Sequence, residues 1–331
     1  MKEDTTTSTE QPIIEVVWRD DLIRWEGGFN VDTTKTNNQD DEEEEEEEAC
    51  PVDIFADPDP FQLFQYEFKL PSSDLQQQQL NNNIDDENNK VISIEIKGYK
   101  TDAEQVWQST GLTLWRASHY LCEYQVEHYS KLFWNKRVLE LGAGLGLNGI
   151  LAWRLSCAAA CNDEVNNEND VETSTNTDDD GNTTATTSSE VCITDGDSDA
   201  LVHLRDNIER NRPSGDNHNI TSSNTVSCNQ LIWGKNSSQT FLQHIAHNQK
   251  YHVLLASDIV YAAVIVEPLW ETVHTLLEPE GGVFIMAFAR RKVDVTIDMV
   301  LEAAVRHGFE YELVKEDLED GIWIYEFKFQ M

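Results

Sequence analysis

Basic residues are scarce in this chain: Lys and Arg together number 24 against 61 Asp and Glu, a formal net charge of −37 over 331 residues. Affinity for a nucleic-acid backbone rests on cationic neutralisation of phosphates, so this balance argues against broad nucleic-acid binding, although a local basic patch stays open. Cysteine is also sparse. Cys50, Cys122, Cys157, Cys161, Cys192 and Cys228 form no Cys-x-x-Cys pair, so reduced, buried thiols of an intracellular protein are expected rather than a disulfide framework. His119, His203, His244, His247 and His252 show no metal-like grouping, and His244-x-x-His247 lacks the Glu partner of a zinc helix. No order of Ser, His and Asp suggests a hydrolase elbow. No apolar run approaches the length of a membrane span, and Met1-Lys-Glu-Asp-Thr-Thr-Thr7 has no signal-peptide core. The expectation is a monomer in the cytoplasm or the nucleus, with no membrane attachment.

Three tracts hold almost nothing that a core could use. Residues 38–49 contain Asp40, Asp41 and the run Glu42 to Glu48; residues 75–90 are mostly Gln, Asn, Asp and Glu; residues 162–190 are mostly Asn, Asp, Glu, Thr and Ser. Such segments cannot bury enough apolar surface to offset the entropy of ordering, and disorder is expected in all three. Much of the negative charge sits there. The remaining chain is enough for one core.

The stretch Lys136-Arg-Val-Leu-Glu-Leu-Gly-Ala-Gly-Leu-Gly-Leu-Asn-Gly149 stands out from this background. Val138, Leu139 and Leu141 make a short apolar run that stops at glycines, and Ile150, Leu151, Trp153 and Leu155 follow at spacings a helix can bury. The pattern predicts a strand, a tight turn and a helix. Gly142, Gly144 and Gly146 permit positive φ and remove the Cβ atoms that would keep a ligand from the backbone at the helix start. A dinucleotide and S-adenosylmethionine compete for such a turn. Glu140 favours the second, because a carboxylate two residues before the first glycine repels a pyrophosphate and suits an ammonium or sulfonium, directly or through water.

Elsewhere the chain alternates strands and helices. Residues 12–27, Phe61 to Leu70 and Val91 to Lys97 read as strands of a small N-terminal β extension, with the Gln/Asn tract as a long hairpin loop. A helix carrying Tyr120, Leu121, Tyr124 and Tyr129 precedes the glycine turn, and the helix after the turn is expected to run to about Ala160. Val191 to Asp195 is a buried strand ending in a carboxylate. From Gly144 to Asp195 is 51 positions; removing the 29 residues 162–190 leaves 22, close to the interval of about 20 at which a doubly wound unit places its ribose-binding acid. Asp197 or Ser198 can cap a helix with Leu201, Leu204 and Ile208 inward. An Asn-rich stretch, 214–229, leads to Leu231-Ile-Trp-Gly234, a short strand or its exit. Val253 to Asp258 is a strand, Pro268 starts a helix, Gly282 to Phe288 is a strand, and Asp294 is expected to cap a helix with Ile297, Val300, Leu301, Ala304 and Val305 inward before Gly308. Tyr311 to Val314 and Trp323 to Phe329 close the chain as an antiparallel pair. This is an α/β pattern: an open Rossmann-like, doubly wound sheet of about seven strands, mostly parallel with a C-terminal antiparallel hairpin. Glu140, Asp195 and Asp258 all fall at strand ends, where such sheets bind ligands. Trp107 and Trp270 read as packing residues.

Several motifs in order carry a resemblance. Gln105-Val-Trp107, Thr110-Gly-Leu-Thr-Leu-Trp115, Val138-Leu-Glu-Leu-Gly-Ala-Gly144, Thr194-Asp195, Ile232-Trp-Gly234 and Ser257-Asp-Ile-Val-Tyr261 resemble those of class I, seven-β-strand S-adenosylmethionine-dependent methyltransferases. More narrowly, they resemble the eukaryotic branch that includes many protein-lysine methyltransferases. The resemblance runs from about residue 91 to the C-terminus, minus the insertion, which divides the chain into an N-terminal β extension, 1–90, and a methyltransferase domain, 91–331. It implies S-adenosylmethionine as cofactor, with Glu140, Gly142 and Gly144 in the donor loop and Asp195 on the ribose hydroxyls. Trp233 would lie beside the adenine, Trp115 would close the site, and Ser257 would stand at the donor side of the Asp258-Ile-Val-Tyr261 motif. Asp258 and Tyr261 would face the methyl acceptor, a protein lysine. Methyl transfer to RNA or a small molecule, or a non-catalytic donor-binding scaffold, are the alternatives. Arg116, Leu145 and Ile232 depart from the residues usual at their positions. Arg290-Arg-Lys-Val-Asp294 reads either as a solvated loop or as a site for an acidic protein segment or a phosphate.

Overall fold

A computed structural model describes residues 61–71, 91–100, 110–167, 189–213, 224–291 and 293–330, with the side chains of 160–167 left out. The strands expected in 12–27, the tracts 38–49 and 75–90, Cys50 and the Gln105-Val-Trp107 motif lie outside these residues.

The first two strands, β1 (Phe61–Lys69) and β2 (Val91–Tyr99), pair antiparallel along their whole length, from Phe61 opposite Tyr99 to Lys69 opposite Val91. A division of the chain between residues 90 and 91 therefore cuts through a two-stranded sheet. Alternation places Ile92, Ile94 and Ile96 on one buried face with Tyr66 and Phe68, and this face joins the core beneath the glycine-turn helix.

The helix expected ahead of the glycine turn is two, α1 (Arg116–Glu127) and α2 (Tyr129–Phe133), broken where His128 leaves helical backbone geometry. The main sheet then forms from β3 (Arg137–Glu140), β4 (Glu190–Asp195), β5 (Thr225–Gln230), β6 (Val253–Ser257), β7 (Val283–Ala289), β8 (Phe309–Asp317) and β9 (Ile322–Phe329). Its order is β5-β4-β3-β6-β7-β9-β8, with antiparallel pairing only where β9 meets β7 and β8. The chain runs outward from β3 to β5 and returns to place β6 on the other side of β3. The strand order reverses between β3 and β6, and a crevice opens beyond their carboxyl ends.

Between the strands run α3 (Leu147–Asn167), α4 (Ser198–Arg210), α5 (Lys235–His244), α6 (Val266–Leu276) and α7 (Ile297–Arg306). One core layer combines the β1/β2 hairpin with α1, α2, α3 and α4; the other combines α5, α6 and α7 around the fully buried Trp270. Several boundaries differ from expectation. Helix α3 continues to Asn167 and β4 begins at Glu190, so the insertion is shorter at both ends than 162–190. Strand β5 lies inside the Asn-rich stretch, and Leu231 to Gly234 is its exit. Helix α5 buries only Ser238 and Phe241, too few apolar positions to show a period. Helix α7 is capped by Thr296, whose hydroxyl accepts the Met299 N–H, not by Asp294. That start turns Ala303 inward and leaves Val305 exposed.

The free edge of β2 is closed by side-chain amides from α4. Asn207, fully buried, accepts the Lys97 N–H at 2.8 Å and donates to the Lys97 carbonyl at 3.1 Å, while Asn211 does the same for Glu95 at 2.9 and 2.7 Å. The Asn207 amide also donates to the carbonyl of Leu145 in the glycine turn at 3.1 Å. Replacing Asn207 with Leu would leave the buried Leu145 carbonyl and the part-buried Lys97 N–H and carbonyl without their partner, each costing about 1–3 kcal/mol. Chemical denaturation of Asn207→Leu should show a loss of at least about 3 kcal/mol; a loss under 1 kcal/mol would mean that the edge is not sealed in this way.

Candidate active site

The glycine turn leaves β3 at Leu141 and enters α3 at Leu147. Gly144 has φ +54°, and a Cβ built on it would lie 2.8 Å from the carbonyl oxygen of Gly111, so only glycine lets the turn approach the Thr110–Leu112 segment. The Gly144 N–H donates to Asp195 Oδ2 at 2.8 Å, and the Asp197 N–H donates to Asp195 Oδ1 at 2.9 Å. The carboxylate at the end of β4 thus holds the turn from the side. Burial pushes the Asp195 carboxyl above its usual range, with these backbone donors pulling the other way.

Glu140 does not reach the cavity. Its side chain turns under the first turn of α3, where Oε2 accepts the Gly149 N–H at 2.8 Å. A Cβ on Gly149 would lie 2.4 Å from that oxygen, which is why glycine stands there. Burial pushes the Glu140 carboxyl up to about 8, the Gly149 donor pulls it down, and the Asp195 charge adds to the rise. The group expected to face a cationic ligand is instead a buried carboxyl beneath the turn.

The crevice holds a cavity of about 620 Å³, within the range of small-molecule sites. Trp115, Gly142, Gly144, Asp195, Trp233, Ser257, Asp258 and Tyr261 all line it; of the nine positions singled out in the sequence, Glu140 alone is missing. Trp233, on the exit of β5, stands against Gly142. Trp115 donates its indole N–H to the Thr110 carbonyl at 2.8 Å, which fixes the ring as a wall. Beyond β6, Asp258 adopts φ +57° and donates its N–H to the Ala287 carbonyl at 2.8 Å. Its carboxylate is buried and paired with Arg291; burial raises its titration above the usual range and the guanidinium opposes that. Tyr261, 49% exposed, stands at the mouth.

Among the lining residues that were not anticipated, two make polar contacts across the site. Asn148 joins the two halves of the site: its amide donates to Ser257 Oγ at 3.1 Å, and its carbonyl accepts from Gln125 Nε2 at 2.9 Å and Cys122 Sγ at 3.3 Å. Arg291 reaches in from the segment after β7. The available signal for it was position, since its basic run follows a strand whose carboxyl end opens on the same crevice. Of the departures noted above, Arg116 turns away to an ion pair with Asp320, Leu145 packs into the core, and Ile232 lines the cavity wall. Among the described residues no cluster of His, Cys, Asp and Glu could hold a metal.

A buried carboxyl with a raised titration point makes stability depend on pH. In the unfolded chain Glu140 ionises near 4.5, and in the folded chain near 8. Between these values the folded state holds the extra proton, so stability falls as pH rises, by about 1.4 kcal/mol per pH unit from this group. Glu140→Gln keeps an acceptor for Gly149 and removes the ionisation. Thermal unfolding from pH 5 to 8 should decline more steeply for the wild type than for this variant; parallel curves would refute the assignment.

The same chain segments match known proteins. A family model described as lysine methyltransferase matches residues 88–299. The protein-lysine N-methyltransferase EFM3 of Chaetomium thermophilum is 26% identical over 201 residues, 61% of this chain and 48% of that one. The protein N-terminal and lysine N-methyltransferase EFM7 of Yarrowia lipolytica is 25% identical over 217 residues, 62% of this chain and 67% of its own length. The EEF1A lysine methyltransferase 3 of Mus musculus is 25% identical over 212 residues, 64% and 69% of the two chains. The match thus spans about half of the first relative and about two thirds of the others. With the family model covering more than half of its length, including the glycine turn, Asp195, Trp233, Asp258 and Tyr261, this chain belongs to the lysine methyltransferase family.

Proposed function

We propose that this protein binds S-adenosylmethionine against the glycine turn and transfers its methyl group to a lysine side-chain amine of a protein substrate. The observation that carries this reading is the cavity itself, which joins a glycine turn and Asp195 at one end to a buried carboxylate and two aromatic rings at the other. The named activities of the similar proteins point the same way.

The residues present fit such a donor. Asp195 lines the cavity, and beyond the Gly144 and Asp197 N–H groups its two oxygens have further acceptor capacity, which suits the two hydroxyls of a ribose. Trp233 offers a flat apolar wall beside Gly142 for a base. A dinucleotide fits less well, because Asp195 and Asp197 line the cavity beside the glycine turn and would repel a pyrophosphate. When bound, S-adenosylmethionine supplies a methyl group on a sulfonium, whose carbon–sulfur bond breaks as the acceptor nitrogen takes the carbon.

The protein's own residues have three tasks. Asp258 draws a lysine ammonium to the cavity, and the faces of Trp115 and Tyr261 favour cationic nitrogen next to it. The amine must then lose a proton before its lone pair can attack, and the half-exposed mouth at Tyr261 lets that proton leave to water. Asn148 and Ser257 hold the donor and acceptor halves in register, so that positioning and exclusion of water do most of the work.

Calorimetry should show binding of S-adenosylmethionine and of its demethylated product but not of NAD. Asp195→Ala, checked for folding, should weaken that binding ten-fold or more; tight binding of NAD alone would end the reading. With labelled donor and a cell lysate, label should appear on protein, survive nuclease and disappear with protease. Label that follows nuclease instead would assign the acceptor to RNA.

A further inference from the structure

The acceptor end of the cavity already contains a cation. Arg291 Nη2 donates to Asp258 Oδ2, and the guanidinium carbon stands 4.3 Å from the centroid of the Trp115 ring. The Asp258 side chain is only 4% exposed and that of Arg291 21%. A carboxylate and an aromatic face are the two contacts an incoming lysine ammonium would need, and Arg291 makes both.

We propose that Arg291 is a built-in stand-in for the acceptor's cation, and that the acceptor lysine enters by displacing it. This rests on the lysine reading above. A buried carboxylate without a partner is costly, so the cavity needs a cation before substrate arrives. Asp258 is held in place, because its backbone N–H donates to the Ala287 carbonyl and its carboxylate also accepts the Ala289 N–H. Arg291 can leave. Among the described residues Asp258 is its one hydrogen-bond partner, whereas the neighbouring Arg290 is anchored by its backbone to Gly321 and by its guanidinium over Trp323.

Displacement exchanges one cation for another, so the charge on Asp258 stays compensated throughout. It also sets a threshold. A planar guanidinium stacked on tryptophan is a stronger occupant than a lone ammonium, so a small free amine cannot evict it, and a lysine succeeds only when the rest of its protein makes further contacts. Arg291 is then a specificity-determining residue that rejects free amines and admits lysines presented on a docked partner.

The test is binding of a minimal probe to the full chain saturated with the demethylated donor product. N-acetyl-lysine methylamide should bind Arg291→Met at least ten-fold more tightly than it binds the wild type, and the gain should vanish in Arg291→Met combined with Asp258→Asn. N-acetyl-norleucine methylamide, which keeps the four-carbon chain and lacks the ammonium, should show no gain. If Arg291→Met binds the lysine probe no better than the wild type, or gains equally for the norleucine probe, the proposal is wrong. Should Arg291→Met unfold because Asp258 is left unpaired, Arg291→Lys keeps the charge without the guanidinium plane. It should gain about three-fold, and no gain overturns the idea equally. Failure of the lysine reading itself would show differently, as label absent from lysine in the lysate for wild type and Arg291 variants alike.

Discussion

The hydrogen bond from the Gly144 N–H to Asp195 is the contact on which the site depends. It ties the end of β4 to the turn after β3, and so sets how far the turn leans toward Gly111 and where the cavity floor lies. The bond requires a carboxylate at the last position of β4 and a turn with no side chain in the way. Everything else at this end is arranged around that pair: Trp233 against Gly142, Asn148 at the start of α3, and Glu140 packed underneath. Glu140 and Asp195 serve the same turn from two sides, one by holding the helix start through Gly149 and the other by holding Gly144. After burial, the charge of Asp195 is a further reason why the Glu140 carboxyl resists ionisation.

How much of this was legible in the sequence follows from burial. Strands β3, β4, β6 and β7 are covered on both faces, so they read as continuous apolar runs bounded by glycines or carboxylates. The edge strand β5 is half-buried and polar, held in place by its ladder with β4, and nothing in Thr225 to Gln230 announces it. The hairpin across the Gln/Asn tract was legible in the alternation of its two strands, whereas the division at residue 90, drawn where the resemblance begins, cuts between those paired strands. Motif positions located the site, yet they did not tell which way a side chain points. Glu140 lies at the right place in the chain and faces the wrong way, because the strand's alternation sends it under α3. Arg291 was visible as a charge but not as a neighbour of Asp258, since its direction depends on a coil with no period to read.

Electrostatics also divides by scale. The chain as a whole is strongly acidic, and that excess would draw basic partners from a distance. At the mouth of the cavity the local balance is different, with Arg291 and Asp258 cancelling each other. Long-range attraction of a lysine-rich surface and local resistance to a bare amine are therefore separate properties, carried by different residues.

The amides of Asn207 and Asn211 have a mechanical consequence. Because β2 is fastened to α4 through side chains, and the same Asn207 amide grips the Leu145 carbonyl, the N-terminal hairpin and the glycine turn share one fastening. A force applied to the hairpin by a docked molecule reaches the floor of the cavity through Asn207, and its wall through Thr113, whose hydroxyl donates to the Tyr99 carbonyl, without passing through the central sheet.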